Sequence, residues 1–251
     1  MSDALAVFLI NLDASTARRA TAERWLDEAG LRATRIAARD GAAPADRRHY
    51  GGLRARLRFG RSLAAAELGC FLSHRDAARR FLDSGARLGL VLEDDARPLP
   101  GAAALLAGLT GHLPAAGWDA ANLGAAATQF RHAAPGTEGR ALPLPAHLFP
   151  LTTHAILWSR EGAARFLART ARIDMALDHW LRHEMTRSGR GLGLAEPLFG
   201  TDGAASDIGA DGRRDCLTAG RVYRCRRALR RWRNKAWAAW HRRKAAMQLR
   251  R

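Results

Sequence analysis

Ala4-Leu-Ala-Val-Phe-Leu-Ile-Asn-Leu12 is a nearly unbroken apolar run closed by Asp13. Its length and composition predict a strand buried on both faces, as in a parallel sheet. Asp13 or Ser15 can cap a following helix through about Ala29, where Gly30 is placed to stop it. Leu31 to Ala38 reads as a second strand, so these segments form a β-α-β unit. Asp40-Gly41 then opens an Arg-rich loop over residues 42–61, and Ser62 can cap a helix to about Asp83, with Gly85 near its end. Leu88 to Leu92 is a third buried strand, and it runs directly into Glu93-Asp94-Asp95. Further strands are predicted at Ala120 to Leu123, Leu148 to Trp158 and Leu192 to Phe199, with helices at Glu161 to Thr170 and Met175 to Arg187. Alternating strand and helix periods indicate an α/β fold around a mostly parallel central sheet.

Composition narrows the class. The chain has 251 residues, 47% hydrophobic and 26% charged, enough for one large or two small domains and too apolar for a disordered protein. Three cysteines without a Cys-x-x-Cys pair argue against a disulfide scaffold and favour a reducing compartment. The first residues lack the basic leader of a signal peptide. Pro98 to Trp118 is long and uncharged, but its prolines and glycines mark helix and loop rather than a membrane span. These features predict a cytoplasmic protein.

The net charge of +17 is unevenly spread. Residues 221–251 hold 13 Lys or Arg and no Asp or Glu, whereas the preceding 220 carry 28 basic and 24 acidic residues. The division expected is therefore a body over 1–215 and a basic tail over 216–251. Val222, Cys225, Leu229, Trp232, Ala236, Trp240 and Met247 recur at helical spacing within that tail, which reads as an amphipathic helix with Arg on its other faces. Such a helix suits an anionic membrane surface, since Trp232, Trp237 and Trp240 favour the headgroup zone and each Lys or Arg adds on the order of 1 kcal/mol. Nucleic-acid phosphates are a weaker alternative. A helix packed on the body and solvated by its arginines is the plainest one.

Chemistry is concentrated at Glu93-Asp94-Asp95, where a buried strand emerges at the sheet edge that binds ligands in open α/β folds. Strand alternation would put Glu93 and Asp95 on one side and Asp94 on the other. Two carboxylates on one side suit Mn²⁺ or Mg²⁺, which in turn holds a diphosphate; a polar turn with helix-capping acids is the structural alternative. Glu67-Leu-Gly-Cys-Phe-Leu-Ser-His74 puts Cys70 and His74 on one helical face, too few ligands for a zinc site. Gly69, unfavourable inside a helix, signals a close approach by another backbone or a ligand. Asn11 and Asp13 at a strand end can meet a base or ribose, and Arg18 a phosphate. G-x-G-x-x-G, P-loop and G-x-S-x-G motifs are absent.

In this order, Ile10-Asn-Leu-Asp13 with Arg18-Arg19, Asp40-Gly41, Glu67 to His74 and Leu90-Val-Leu-Glu-Asp-Asp-Ala96 resemble glycosyltransferase family 25, the lipooligosaccharide β-galactosyltransferase family. The likeness continues more faintly through Trp118-Asp119, His154 to Ser159 with Gly162-Ala163, Ile173-Asp174 and Ser206-Asp207-Ile208. It implies a GT-A-like nucleotide-sugar-binding fold and inverting transfer from a UDP-sugar, usually UDP-galactose, to a saccharide or lipid-linked saccharide acceptor. Pro197-Leu-Phe-Gly200-Thr201 departs from the pattern, which has a Gln after Pro-Leu, so the acceptor side is expected to differ from the family's.

The resemblance makes Glu93 and Asp95 the metal ligands and places Asp94 on the ribose or behind the metal. It carries Asn11, Asp13, Arg18, Asp40, Gly41, Ser73 and His74 to the donor pocket. Inversion needs a general base, for which Asp174, on the family-like Ile-Asp, and then Asp178 are the candidates, with His179 adjacent. A tail attached to the inner face of a membrane fits a lipid-linked acceptor.

Overall fold

The computed structural model describes residues 4–114, 116–127, 144–201 and 220–248. Strand β1 (Leu5–Asn11), helix α1 (Thr16–Glu28) and strand β2 (Thr34–Ala37) form the opening unit. Two short helices follow, α2 (Pro44–Arg47) and α3 (Gly52–Arg58), then the long α4 (Ala65–Asp83). Next come β3 (Leu88–Glu93), β4 (Ala96–Pro98), α5 (Ala102–His112), β5 (Ala120–Ala126), β6 (Leu144–Pro145) and β7 (Ala155–Ser159). The remainder is α6 (Arg160–Arg169), α7 (Leu177–Ser188), β8 (Gly191–Leu194), β9 (Phe199–Thr201) and α8 (Arg221–Gln248).

Seven strands form one sheet in the order β2-β1-β3-β7-β5-β8-β6, while β4 and β9 pair separately. Strand β1 runs parallel to β2 and β3, and β5 parallel to β8; β7 and β6 are reversed. Most strands thus share one direction, as the alternating strand and helix periods predict for an α/β fold with a mostly parallel sheet. Side-chain alternation builds two apolar layers. Phe8, Ile10, Val91, Ile156 and Trp158 join the core containing residues of α4, α6 and α7, whereas Val7, Leu9, Leu90, Leu92 and Leu157 join the core containing residues of α1 and α5. Each large side chain buried this way contributes about 1.5–3 kcal/mol before chain entropy is subtracted.

The parallel pairing of β1 and β3 fixes the site. Ile10 is opposite Glu93, so the strand ends bearing Asn11 and the acidic run emerge side by side. Against them lies the loop 39–41, pressed on α4 at a point where neither side tolerates a side chain. A Cβ on Gly69 would collide with the Arg39 carbonyl, and one on Gly41 with the Ala65 carbonyl. Gly69 thus meets another backbone. Ser73 Oγ fastens the contact, accepting the Arg39 N–H at 2.8 Å and donating to the Gly69 carbonyl at 2.7 Å. Gly69→Ala is expected to destabilise the protein by about 1–3 kcal/mol through overpacking. Urea unfolding would show this, and an unchanged midpoint would mean that the loop can retreat freely.

Several boundaries differ from the pattern reading. Helix α4 starts at Ala65, three residues after Ser62, and its N-cap is Ala64, whose N–H donates to Glu67 Oε2 at 2.9 Å. The Arg-rich stretch 42–61 is not plain loop, since it holds α2 and α3. Only Ala155–Ser159 of the 148–158 run is strand. Phe149 is engaged instead by α7, with Thr186 Oγ1 accepting its N–H and its carbonyl accepting Arg182 Nε, and Pro150 has no N–H for a ladder. The 192–199 run splits around Pro197 into β8, in the main sheet, and β9, which pairs with β4.

Helix α8 docks on the body by a face that the sequence did not single out. Tyr223, Arg230, Asn234 and Ala238 are buried, and His241 Nε2 donates to the Arg187 carbonyl at 3.2 Å. The stripe through Val222, Leu229, Trp232, Trp240 and Met247 instead faces outward, with Trp232 67% exposed. Among the described residues no helix is long and apolar enough to cross a membrane. The boundary expected at 215/216, Cys216 and Ser206-Asp207-Ile208 lie outside the described residues.

Candidate active site

A cavity of about 180 Å³ opens at the ends of β1 and β3. Asn11, Arg18, Asp40, Ser73, His74 and the whole Glu93-Asp94-Asp95 run line it. Segments far apart in sequence therefore converge, as the motif reading expected. One detail differs. Strand β3 ends at Glu93 and Asp94-Asp95 turn into β4, so alternation no longer applies and all three acids reach the same cavity.

The three carboxylates are held differently. Glu93 Oε1 lies 3.1 Å from His74 Nε2 and 3.9 Å from Cys70 Sγ, while its own N–H is bonded to the His154 carbonyl. Burial alone would raise Glu93. The hydrogen bond and charge of His74, with Thr153 and His154, bring it below the ordinary carboxylate range. Asp94 accepts from Asn11 Nδ2 at 2.7 Å and forms an ion pair with Arg18, and so orients both groups at the cavity wall. Asp95 is raised, by burial first and then by Glu93, against the opposing charges of His154 and Arg18. Its Oδ1 is buried with no hydrogen-bond partner. A buried carboxylate oxygen left in that state is what an added cation would satisfy.

The residues thus fit a divalent cation at Glu93 and Asp95. A second arrangement shares Glu93: ligand atoms of Cys70, His74 and Glu93 lie within 4.8 Å of one another. Burial, followed by the charges of Glu93, Asp178 and Glu67, raises Cys70 well above its usual value and keeps it a thiol. That cluster is a hydrogen-bonded support for Glu93, and its mixed donors suit a hard oxygen-seeking ion less well than two carboxylates do.

Three expected site residues have other work. Asp13 is exposed at the strand end, paired with Arg35, and does not line the cavity. Gly41 serves the close packing against α4 rather than a ligand. Asp174 is 3% exposed and bonded by Arg58 at 2.7 Å, with Arg54 at 3.4 Å. It is held there because Ile173 bridges to Tyr50, which clamps the segment against the 42–61 insert. A carboxylate occupied by two guanidiniums is poorly suited to take a proton.

Asp178 is different. It forms no ion pair among the described residues, and its carboxyl accepts the N–H of His179 at 2.6 Å. Burial, reinforced by Glu67, raises it to about 6 despite His179, Arg182 and Arg61. It does not itself line the sheet-edge cavity, but its charge is felt at Cys70, which does. The sequence showed Asp178 only as a second acid near Asp174, and it held no sign of the support from Thr153 and His154.

Trp118-Asp119 and Gly162 prove structural. Asp119 takes Arg165 at 2.7 Å and Arg190 at 2.6 Å, and a Cβ on Gly162 would strike its carbonyl.

Residues 4–106 match the sequence model of glycosyltransferase family 25 (LPS biosynthesis protein). No curated protein sequence matches the chain. Among solved structures, one titled as a glycosyltransferase involved in the glycosylation of the major capsid of PBCV-1 is similar at 10% identity and a TM-score of 0.45. The similarity covers 85% of this chain and 98% of that one, and is too loose to carry an argument. The match spans the Asn11, Asp40-Gly41, Glu67–His74 and Glu93–Asp95 motifs, so over residues 4–106 the chain is similar to glycosyltransferase family 25.

Proposed function

We propose that the protein transfers galactose from UDP-galactose, with inversion at the anomeric carbon, to a saccharide acceptor of lipopolysaccharide or a related surface glycan. The observation that carries this reading is the buried, unpartnered Asp95 Oδ1 beside Glu93 in a cavity also lined by Asn11, Arg18 and His74. Family 25 likeness over the same residues supports it.

Glu93 and Asp95 would hold Mn²⁺ or Mg²⁺, which supplies Lewis-acid stabilisation of the diphosphate leaving group. His74 and Thr153 keep Glu93 ionised for that task. Asp94 sets the positions of Asn11 and Arg18, the groups that face a nucleotide. Asp178 accepts the proton of the attacking hydroxyl as the general base. Purified protein supplied with Mn²⁺ should release UDP from UDP-galactose. Preference for another UDP-sugar in a donor panel would change the sugar and keep the mechanism, whereas inertness across the panel would defeat the proposal.

The outward stripe on α8 favours attachment to the inner face of a membrane. Trp232, Trp240, Leu229 and Met247 are exposed together, with arginines on both sides. Trp232→Ser with Trp240→Ser should abolish flotation with anionic vesicles. Flotation unaffected by these changes, or binding to nucleic acid alone at moderate salt, would count against the attachment.

A further inference from the structure

The larger cavity of this protein is not the one at the sheet edge. A space of about 680 Å³ lies between α7 and α8, and among the described residues its charged lining is basic: Arg182 from α7 and Arg227, Arg230, Arg231 and Lys235 from α8. Among the described residues none of these five forms an ion pair.

Arg230 is the informative member. Its side chain is buried, with the residue only 9% exposed. Its Nη1 donates to the carbonyls of Phe59 at 2.6 Å and Arg58 at 3.3 Å, and its guanidinium lies over the Phe59 ring at 4.6 Å from the centroid. Nε and Nη2 are buried with no hydrogen-bond partner. The charge is therefore fixed in the cavity wall with no ion-paired carboxylate among the described residues, the Asp178 charge reaching it only from a distance.

The surroundings feel that imbalance. Burial lowers Arg230, with Arg61 and Arg227 adding to it and Tyr223 and Asp178 opposing; burial lowers Arg182, opposed by Asp178 and reinforced by Arg231. His179, which also lines the cavity, falls to about 3 through burial and then Arg230 and Arg182, so it stays neutral. Cations without ion-paired carboxylates around a concave, partly desolvated space attract an anion far more strongly than the same charges spread over a surface. Guanidiniums set at several angles suit the oxygens of a phosphate.

The position matters as much as the charge. Asp178 and His179 are successive residues in the first turn of α7. The Asp178 carboxylate acts on Cys70, in the sheet-edge cavity, while His179 lines the basic one. The first turn of α7 thus borders the basic cavity through His179 and carries the Asp178 charge on the side of Cys70.

We infer that the basic cavity between α7 and α8 binds a phosphate group carried by the acceptor, anchoring it so that its hydroxyl reaches Asp178. The acceptor part of this inference rests on the glycosyl transfer proposed above, whereas the phosphate site does not.

The test is titration calorimetry on the full chain with glucose 6-phosphate, with glucose as the uncharged control, and with UDP as a probe of the other cavity. Vesicles containing phosphatidic acid form a separate arm. Glucose 6-phosphate should bind and glucose should not. Arg227→Gln combined with Arg231→Gln, both exposed and outside the core, should weaken that binding about tenfold or more and leave UDP binding intact. Arg230→Gln should do the same if it folds, and the exposed pair decides the matter if it does not.

If only the vesicles bind, and the Arg227/Arg231 pair abolishes this, the site stands with a lipid phosphate as its source. Absence of any phosphate-dependent binding, or binding indifferent to the arginine changes, would overturn the inference. A wild type that binds glucose 6-phosphate but never releases UDP would defeat the transfer reading and leave the phosphate site standing.

Discussion

Asp95→Asn is expected to reduce UDP release from the sugar nucleotide by about 10³-fold or more, the scale associated with losing electrostatic stabilisation of a leaving group. The substitution keeps shape and removes charge where Oδ1 is buried without a partner. It should not harm folding. The folded-state value of Asp95 lies above its unfolded one, so its ionisation costs stability as pH rises through that interval, and a neutral Asn avoids the cost. The expected signature is lost activity with an unchanged or higher Tm. Chelation of divalent ions should imitate it in the wild type, with recovery on adding Mn²⁺ or Mg²⁺. Glu93→Gln should also lose activity, but it breaks the contact with His74 and is expected to lower Tm as well. Full UDP release by Asp95→Asn would remove the basis of the proposed reaction.

Asp178→Asn is expected to slow transfer about 10²–10⁴-fold, the range for a positioned general base, while UDP binding persists. The wild-type pH profile should carry the same information. A base works when deprotonated, so kcat/KM should climb through about pH 6 and level above it. The groups that set this value are Glu67 from α4, Arg61 from the loop before it, and the His179 N–H and Arg182 from α7 itself. Glu67→Gln should therefore move the limb downward without removing it, because Glu67 raises Asp178. Asp174→Asn is the control. It should weaken folding by about 1–3 kcal/mol, as expected for losing charge-assisted hydrogen bonds, and leave the acidic limb in place. A limb that vanishes with Asp174 and survives in Asp178→Asn would reverse the assignment.

Much of the site is legible in the order of the amino acids. Asn11 and Glu93 end buried apolar runs, and a buried strand must surrender its polar residues at its ends, so their exit from one sheet edge follows from hydrophobic pattern alone. Gly69 within a good helix pattern likewise announces a close contact, because nothing local rewards it. Elements shift where local preference meets tertiary pairing. Ser62 is a good cap, yet Glu67 closes the start of α4 at Ala64, and Phe149 bonds to α7 rather than to a neighbouring strand.

The linear chain determined the α/β class, the sheet-edge acids and the family likeness, since each depends on near neighbours and on the order of motifs. Only the folded arrangement gives Asp174 and Asp178 different surroundings, because burial and the reach of Arg54 and Arg58 depend on segments more than a hundred residues away. It also turned α8, seating Tyr223, Arg230 and Asn234 against the body and leaving the tryptophan stripe outside. Helical spacing can sort residues into faces, but which face is covered depends on what stands opposite, and for α8 that is the end of α3 together with α7.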